Sequence, residues 1–298
     1  MRPKIRKLGT IDCDLVETTP IVFGERLYRF EYVRQGYAGN TSGDSYFRFV
    51  DHETGEYSPA FAAGYHLGNV FVEGGVLVVT GTNHWDGENV DLFVSTDMHT
   101  WERRPALHLP GYGLFNTSLC RAGDRYVLMI EVGKPPEIAG VPFTARFAVS
   151  DDLYSWRLTP DECNYSRERY TAPHAMRWLD GWTYNFYLEA IAAPDGTPRY
   201  EQRVVRSRDL VHWEPSLYEF VLAHDPDDKI IANDALSPEQ RARIAAADDW
   251  NNSDIDFCEF QGQTRITYSW GNQQGNEFLA EALFDGTEAD FLRGWFEA

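Results

Sequence analysis

The chain has 298 residues, 43% hydrophobic and 14% aromatic, and its 46 acidic against 27 basic side chains give a formal net charge of -19. That charge argues against nucleic acid and anionic membrane surfaces as partners, and no stretch approaches the roughly 20 apolar residues of a membrane-spanning helix. Cys13, Cys120, Cys163 and Cys258 lie far apart without CxxC spacing, and the basic Met1–Lys7 opening runs into polar Thr10–Asp14 rather than an apolar signal core. Free thiols in a reducing compartment, the cytoplasm, are the expectation.

Taken in chain order, the first element is a hairpin over Pro20–Phe30 turning at Gly24, followed by a turn at Asp51–Gly55. A second hairpin, Val70–Val79, turns at Gly74; a third strand at Val90–Val94 then ends in Ser95-Thr-Asp97-Met-His-Thr-Trp101. The third hairpin, Ser118–Ile130, turns at Gly123, and Thr144–Val149 leads into Ser150-Asp-Asp152-Leu-Tyr-Ser-Trp156. The fourth, Ala175–Tyr187, turns at Gly181, and Arg203–Arg206 leads into Ser207-Arg-Asp209-Leu-Val-His-Trp213. Ser237-Pro238-Glu239-Gln240 supplies an N-cap, a proline at the first helical position and a capping-box Gln, which predicts a short helix over Arg241–Ala247. A fifth hairpin, Phe257–Tyr268, turns at Gly262 and precedes Ala282–Gly286 and an aromatic tail, Phe291–Phe296. A glycine between two alternating apolar runs is the usual hairpin signal.

The three copies of SxD[LM]xxW recur at spacings of 55 and 57 residues. A repeat of that length made of strands reads as one propeller blade, because a single four-stranded sheet cannot bury both faces alone. The chain is therefore predicted to be all-β, a five-bladed β-propeller forming one domain over 1–298. Its blades span approximately 12–57, 62–108, 111–162, 168–222 and 250–290, with a helical insertion at 237–247 between blades 4 and 5. In each repeat the Ser and Asp are expected to bond nearby amides, and the Trp to pack between blades.

The innermost strands of a propeller open at one end onto a common face. Counting seven or eight residues back from each hairpin glycine lands on Glu17, His66, Asn116, His174 and Asp254, one polar side chain per blade. The second strands return to that face at Glu131, Glu189 and Trp270, and blades 1 and 2 add Arg34, His84 and Trp85. Carboxylates that hydrogen-bond hydroxyls beside aromatic faces suit a sugar ring, so a small carbohydrate is the expected partner. Glu131 and Glu189 each end an apolar run where desolvation raises a carboxyl pKa, which suits a general acid. Glu17 or Asp254 would activate water, with Glu131, Glu189 or His174 protonating the leaving oxygen. Arg34, His66, His84, Trp85, Asn116, Trp270 and Asn272 would contact substrate. No cofactor is required for such chemistry, and calcium in the central channel is the one structural cation considered. Neither Asn251–Asp256 nor Asp225–Asp228 follows the twelve-residue calcium-loop pattern.

The five hairpins, the SxDLxxW blade endings and the Glu17-Thr-Thr-Pro20-Ile-Val opening resemble the five-bladed propeller glycoside hydrolases of families 43, 32, 62 and 117. The resemblance covers the chain from about Asp12 to its end. It implies a glycosidase with an Asp base on blade 1, an Asp modulator on blade 2 and a Glu acid at the start of blade 4. This sequence has Glu17 or Asp14, His66 or Asn69, and Thr171-Ala-Pro173-His174 at those places. A histidine near His174 is similar to the acid of family 117. The overall expectation is a glycoside hydrolase, inverting where its two catalytic groups stand roughly 6.5 to 9.5 Å apart. A glycoside phosphorylase using Arg34, His66 and His174 for phosphate, and a non-catalytic sugar-binding propeller, are the alternatives.

Overall fold

The computed structural model describes residues 2–34, 45–192, 196 and 198–297. Blade 1 holds Thr19–Phe23, Arg26–Val33 and Tyr46–Asp51, and blade 2 holds His66–Glu73, Val76–Thr82, Asn89–Ser95 and Glu102–His108. Blade 3 is Gly113–Ala122, Arg125–Lys134, Thr144–Ser150 and Arg157–Leu158; blade 4 is His174–Leu179, Trp182–Ala192, Pro198–Ser207 and Trp213–Pro215. Blade 5 begins with Asn251–Phe260, Gln263–Gly271 and Glu277–Phe284. Neighbouring strands within each blade run antiparallel, and the five first strands lie against one another in cyclic order, blade 5 returning to blade 1. The fold is a five-bladed β-propeller.

Blade 5 takes its outer strand from the other end of the chain. Ile5–Cys13 pairs antiparallel with Glu277–Phe284, from Ile5 opposite Phe284 to Cys13 opposite Phe278. Residues 1–11 fall outside every blade that the sequence predicts, because irregularities between Lys7 and Gly9 and between Thr10 and Asp12 break the two-residue alternation that marks a strand. Gly9 sits at φ 113, and a Cβ there would lie 2.3 Å from the Ile230 carbonyl oxygen, so no other residue fits. Ladder bonds between the first and last blade strands thereby close the ring.

The SxD turns form as the sequence predicts. Ser150 Oγ accepts from the amides of Asp152 and Leu153 at 3.2 and 2.9 Å, and Asp152 Oδ1 accepts from those of Tyr154 and Ser155 at 2.8 Å each. The other two copies repeat these bonds. They hold Met98, Leu153 and Leu210 at φ 62, 66 and 65, a conformation that a side chain with a Cβ otherwise avoids. Trp101 then stacks on Phe61 of the preceding blade at 3.8 Å between centroids, and Trp213 on Phe147 of blade 3 at 5.9 Å. The motif joins blades.

The insertion helix runs over Pro238–Ala246, with both halves of the Ser237/Gln240 capping box made. The aromatic tail that the sequence shows forms a second helix, Glu288–Gly294. Its Thr287 cap is answered by Asp290 rather than Glu or Gln. Its Phe291 and Leu292, with the following Trp295, are buried in the core shared by blades 4 and 5.

Candidate active site

Three of the five inner strands open onto the mouth through a residue in the left-handed region: Glu17 at φ 56, Leu67 at φ 55 and Asp254 at φ 54. In blades 2 and 5 the ladder skips there, between His66 and Asn69 and between Ser253 and Asp256. An extra residue in one strand bends it and re-aims a side chain, and strain of this kind persists only where surrounding structure holds it. Glu17 and Asp254 are thereby turned into a cavity of about 250 Å³ that they share with Arg34, Asn116, Glu131 and Gln273. Its remaining wall is largely aromatic, from Trp85, Phe115, Phe143 and Tyr170. Next to it, the channel is lined by Thr19, Asn69, Thr117, His174 and Asp256.

Burial pushes the Glu17 carboxyl up to about 8, and the neighbouring Asp254 and Glu131 add to the push against Arg34 and an Asn116 hydrogen bond. Glu17 Oε2 is buried and has no hydrogen-bond partner among the described residues. Asp254 is also raised, by burial first and by Glu131, against hydrogen bonds from Ser269 and Ser253 and the charge of Arg34. Glu131 Oε2 accepts from Asn116 Nδ2 at 3.0 Å, and its Oε1 stands 3.0 Å from His174 Nδ1. His174 Nε2 is buried without a partner among the described residues. The Arg34 guanidinium lies over the rings of Tyr32 and Trp85, 5.2 and 5.4 Å from their centroids.

Of the residues that counting placed at the mouth, Glu17, Arg34, Trp85, Asn116, Glu131 and Asp254 come together around this cavity, and His174 meets it through Glu131. The others do not. Glu189 is held by Arg169 and Arg203, at 3.3 Å from each, and by the Tyr187 hydroxyl, so its carboxylate is engaged outside the cavity. Trp270 is fully buried, stacked on Phe278 and donating Nε1–H to Thr10 Oγ1 at 2.7 Å, which leaves no ring face for a sugar. Asn272 turns its side-chain carbonyl to the Gln274 amide at 2.9 Å, and it is Gln273 that lines the cavity. His84 is exposed and does not line it.

His66 is buried as well. The Ser45 hydroxyl is committed to the Tyr65 carbonyl at 2.6 Å, so at 3.3 Å it accepts from His66 Nε2–H; Nδ1 then accepts from Tyr32 at 2.5 Å. The network assigns a neutral imidazole, in keeping with a pKa pushed down to about 4 by burial and by Arg34 and His84. The cationic trio of Arg34, His66 and His174 expected for a phosphate therefore loses one member.

Several contributors escaped sequence reading. Phe143 and Tyr170 lie outside the hairpins used for counting, and Phe115 is the neighbour of the counted Asn116. Glu277, fully buried, accepts from the Gln273 amide at 2.6 Å and from Asn251 Nδ2 at 3.4 Å, and burial pushes its carboxyl up to about 8. It carries the turn that sets Gln273 at φ 56 over the mouth. Among the described residues no three His, Cys, Asp or Glu side chains are arranged to hold a metal ion. At the channel, Asp256 is engaged by Arg177, by Thr19 Oγ1 at 2.8 Å and by Asn69 Nδ2 at 3.0 Å; Asp228 of the other candidate loop is taken by Lys7 at 2.8 Å and Tyr268 at 2.7 Å. These carboxylates are poor fits for calcium.

The chain thus has the fold of the five-bladed propeller glycoside hydrolases. No family model and no curated protein matches the sequence. The catalytic domain of a family 62 α-L-arabinofuranosidase from Coprinopsis cinerea superposes with a TM-score of 0.63 at 9% identity, over 95% of this chain and 98% of that one. An α-L-arabinanase of Penicillium chrysogenum, solved with arabinobiose, gives 0.60 at 10% identity over 95% and 99%. A family 32 β-fructofuranosidase of Bombyx mori gives 0.58 at 12% over 93% and 61%. Likeness at these identities is a likeness of fold, and the residues at the mouth are this chain's own.

Proposed function

We propose that the protein is a glycoside hydrolase acting on a small glycoside, with Glu17 as proton donor and Glu131 as base. The observation that carries this reading is the Glu17 carboxyl, turned into the cavity beside two other carboxyls with its Oε2 buried and unpartnered among the described residues, where burial pushes its pKa up to about 8. A glycosidic oxygen departs readily only when protonated, and a carboxyl still protonated at neutral pH can supply that proton. Sequence reading gave Glu17 the opposite task of activating water; its burial favours the acid role. Asp254, on the adjacent blade, helps to keep the proton on Glu17 by charge repulsion.

Glu131 of blade 3 and Glu17 of blade 1 line the same cavity, with Asn116 hydrogen-bonded to both. The chemistry proposed is direct displacement with inversion, one carboxyl acting as acid and the other as base. Glu131 takes a proton from water as its oxygen bonds to the anomeric carbon, while Glu17 gives its proton to the departing oxygen. The two carboxyls then exchange one proton through solvent and the site is reset. His174 and Asn116 orient the Glu131 carboxylate, and Arg34 and Gln273 bond sugar hydroxyls.

The test is a panel of glycosides assayed by NMR for cleavage and for the anomer first released. Glu17→Gln should lower kcat by about 10²–10⁴-fold, and less for a nitrophenyl leaving group, which departs without a proton. Glu131→Gln should lower both alike. Wild-type binding of a glycoside without cleavage, unchanged in affinity by either substitution, would sink the reading in favour of a binding module, and phosphate-dependent cleavage would mark a phosphorylase.

A further inference from the structure

The cavity is built with two unlike sides. Glu17, Arg34, Asp254 and Gln273 come from blades 1 and 5 and blade 3 adds Asn116 and Glu131; beside these, blades 2 to 4 and their connections present an arc of rings. Trp85 meets Phe115 at 5.7 Å between centroids, Phe115 meets Phe143 at 4.6 Å and Phe143 meets Tyr170 at 6.0 Å, and behind the cavity wall Tyr170 meets Tyr200 at 6.2 Å. Every contact is edge to face, the arrangement aromatic quadrupoles favour. All five rings remain partly accessible. Gly133 makes room for the two phenyl rings: a Cβ there would lie 2.6 Å from Phe115 and 2.7 Å from Phe143. Accessible apolar rings gathered at a cavity are uncommon without a ligand to cover them.

We infer that the leaving group of the substrate is an apolar, ring-bearing alcohol and not a second sugar. The inference rests on the hydrolase reading above for the bond that is cut. One glycosyl ring has its hydroxyl partners in Arg34, Asp254 and Gln273 of blades 1 and 5 and in Asn116 of blade 3. A second sugar against the arc would present several hydroxyls to Phe115 and Phe143, which carry no polar atom, and each hydroxyl stripped of water without a partner weakens binding. An aromatic or alicyclic aglycone leaves no such group unpaired, and its burial against the rings is favourable. The bond to this alcohol is the one that Glu17 protonates, so the alcohol departs neutral and the sugar leaves with a hydroxyl from water.

Once 4-nitrophenyl glycosides have identified the sugar, the test compares its ethyl glycoside, its 2-phenylethyl glycoside and its disaccharide. Ethanol and 2-phenylethanol leave with similar basicity, so their difference reports contacts with the aglycone, whereas the sugar alcohol is the better leaving group and slower cleavage of the disaccharide is the stricter comparison. The 2-phenylethyl glycoside should show kcat/KM about tenfold or more above the ethyl glycoside, and above the disaccharide. In Phe143→Ala the ratio of phenylethyl to ethyl should fall towards one; as both are measured on one preparation, partial misfolding cancels. A disaccharide cleaved better than the phenylethyl glycoside, or a ratio that Phe143→Ala leaves unchanged, would overturn the inference. If nothing is cleaved, calorimetry separates the two readings. Phenylethyl glycoside binding that weakens in Phe143→Ala keeps the aglycone site while the hydrolase reading fails, and no binding at all overturns the aglycone site too.

Discussion

Glu17→Gln should flatten the decline of folding stability with rising pH. The Glu17 carboxyl is raised from its ordinary 4.5 to about 8 in the folded chain, by burial first and then by Asp254 and Glu131. Between those values the folded chain holds a proton that the unfolded chain has released, so stability falls as pH rises across that window. Below 4.5 both states are protonated and the contribution is fully present; above about 8 the loss is complete. Each pH decade is worth about 1.4 kcal/mol per proton, so from pH 5 to pH 8, with partial titration at both ends, wild type loses about 3 kcal/mol through this one group. Asp254 is raised for the same primary reason and stays in the variant, so its curve is flatter than wild type without being level. For a chain of this size 1 kcal/mol moves Tm by about 2 °C, so the gap between the two proteins should shift by about 6 °C in the variant's favour over that range. Scanning calorimetry at constant ionic strength measures it directly, with no substrate needed. Parallel curves of Tm against pH would refute the buried, protonated Glu17 and with it the case for this residue as the acid.

Three further outcomes follow from the same geometry. Glu277→Ala removes the acceptor of the Gln273 amide and leaves Asn251 short of a partner, so it should cost about 2–3 kcal/mol in denaturant unfolding; Glu277→Gln, which keeps the shape of the protonated acid, should cost less than half of that, and equal losses would count against the role as a turn anchor. Trp270→Phe loses the bond to Thr10 and part of a buried ring and should lower stability by about 2 kcal/mol or more, whereas Trp85→Ala, at the mouth, should chiefly weaken glycoside binding; the reverse pattern would contradict the placement of both rings. The His66 imidazole should keep its neutral NMR shifts down to about pH 5, since its pKa is pushed down to about 4, and a midpoint near 6.5 would show that the Tyr32–His66–Ser45 network is not formed as described.

What could be read from the chain alone was local and repeated. Gly24, Gly74, Gly123, Gly181 and Gly262 each turn a hairpin, and the three SxD phrases each close a blade, because turn chemistry is written in a few adjacent residues. Counting along strands from those glycines then placed Glu17, Asn116, Glu131 and Asp254 near one mouth, since strand rise is regular. The same regularity misled at Trp270 and Glu189. Counting gives the height of a residue in the propeller, whereas the face it takes depends on bulges such as the one between Ser253 and Asp256 and on which neighbours fill the space.

Tertiary structure alone decided the rest. Only the closed ring brings Ile5–Cys13 beside Glu277–Phe284, more than 260 residues away, because a ladder partner leaves no mark in a strand whose alternation is broken. Only the ring puts Glu131 close enough to raise Glu17 and Asp254, and Asp254 close enough to raise Glu17, since a carboxyl's pKa is set by the water and charge around it and not by its place in the chain. The aromatic arc is likewise assembled from residues in separate blades and connections, and its meaning appears only when their rings share one wall. Sequence determined the blades; the closing of the ring determined the site.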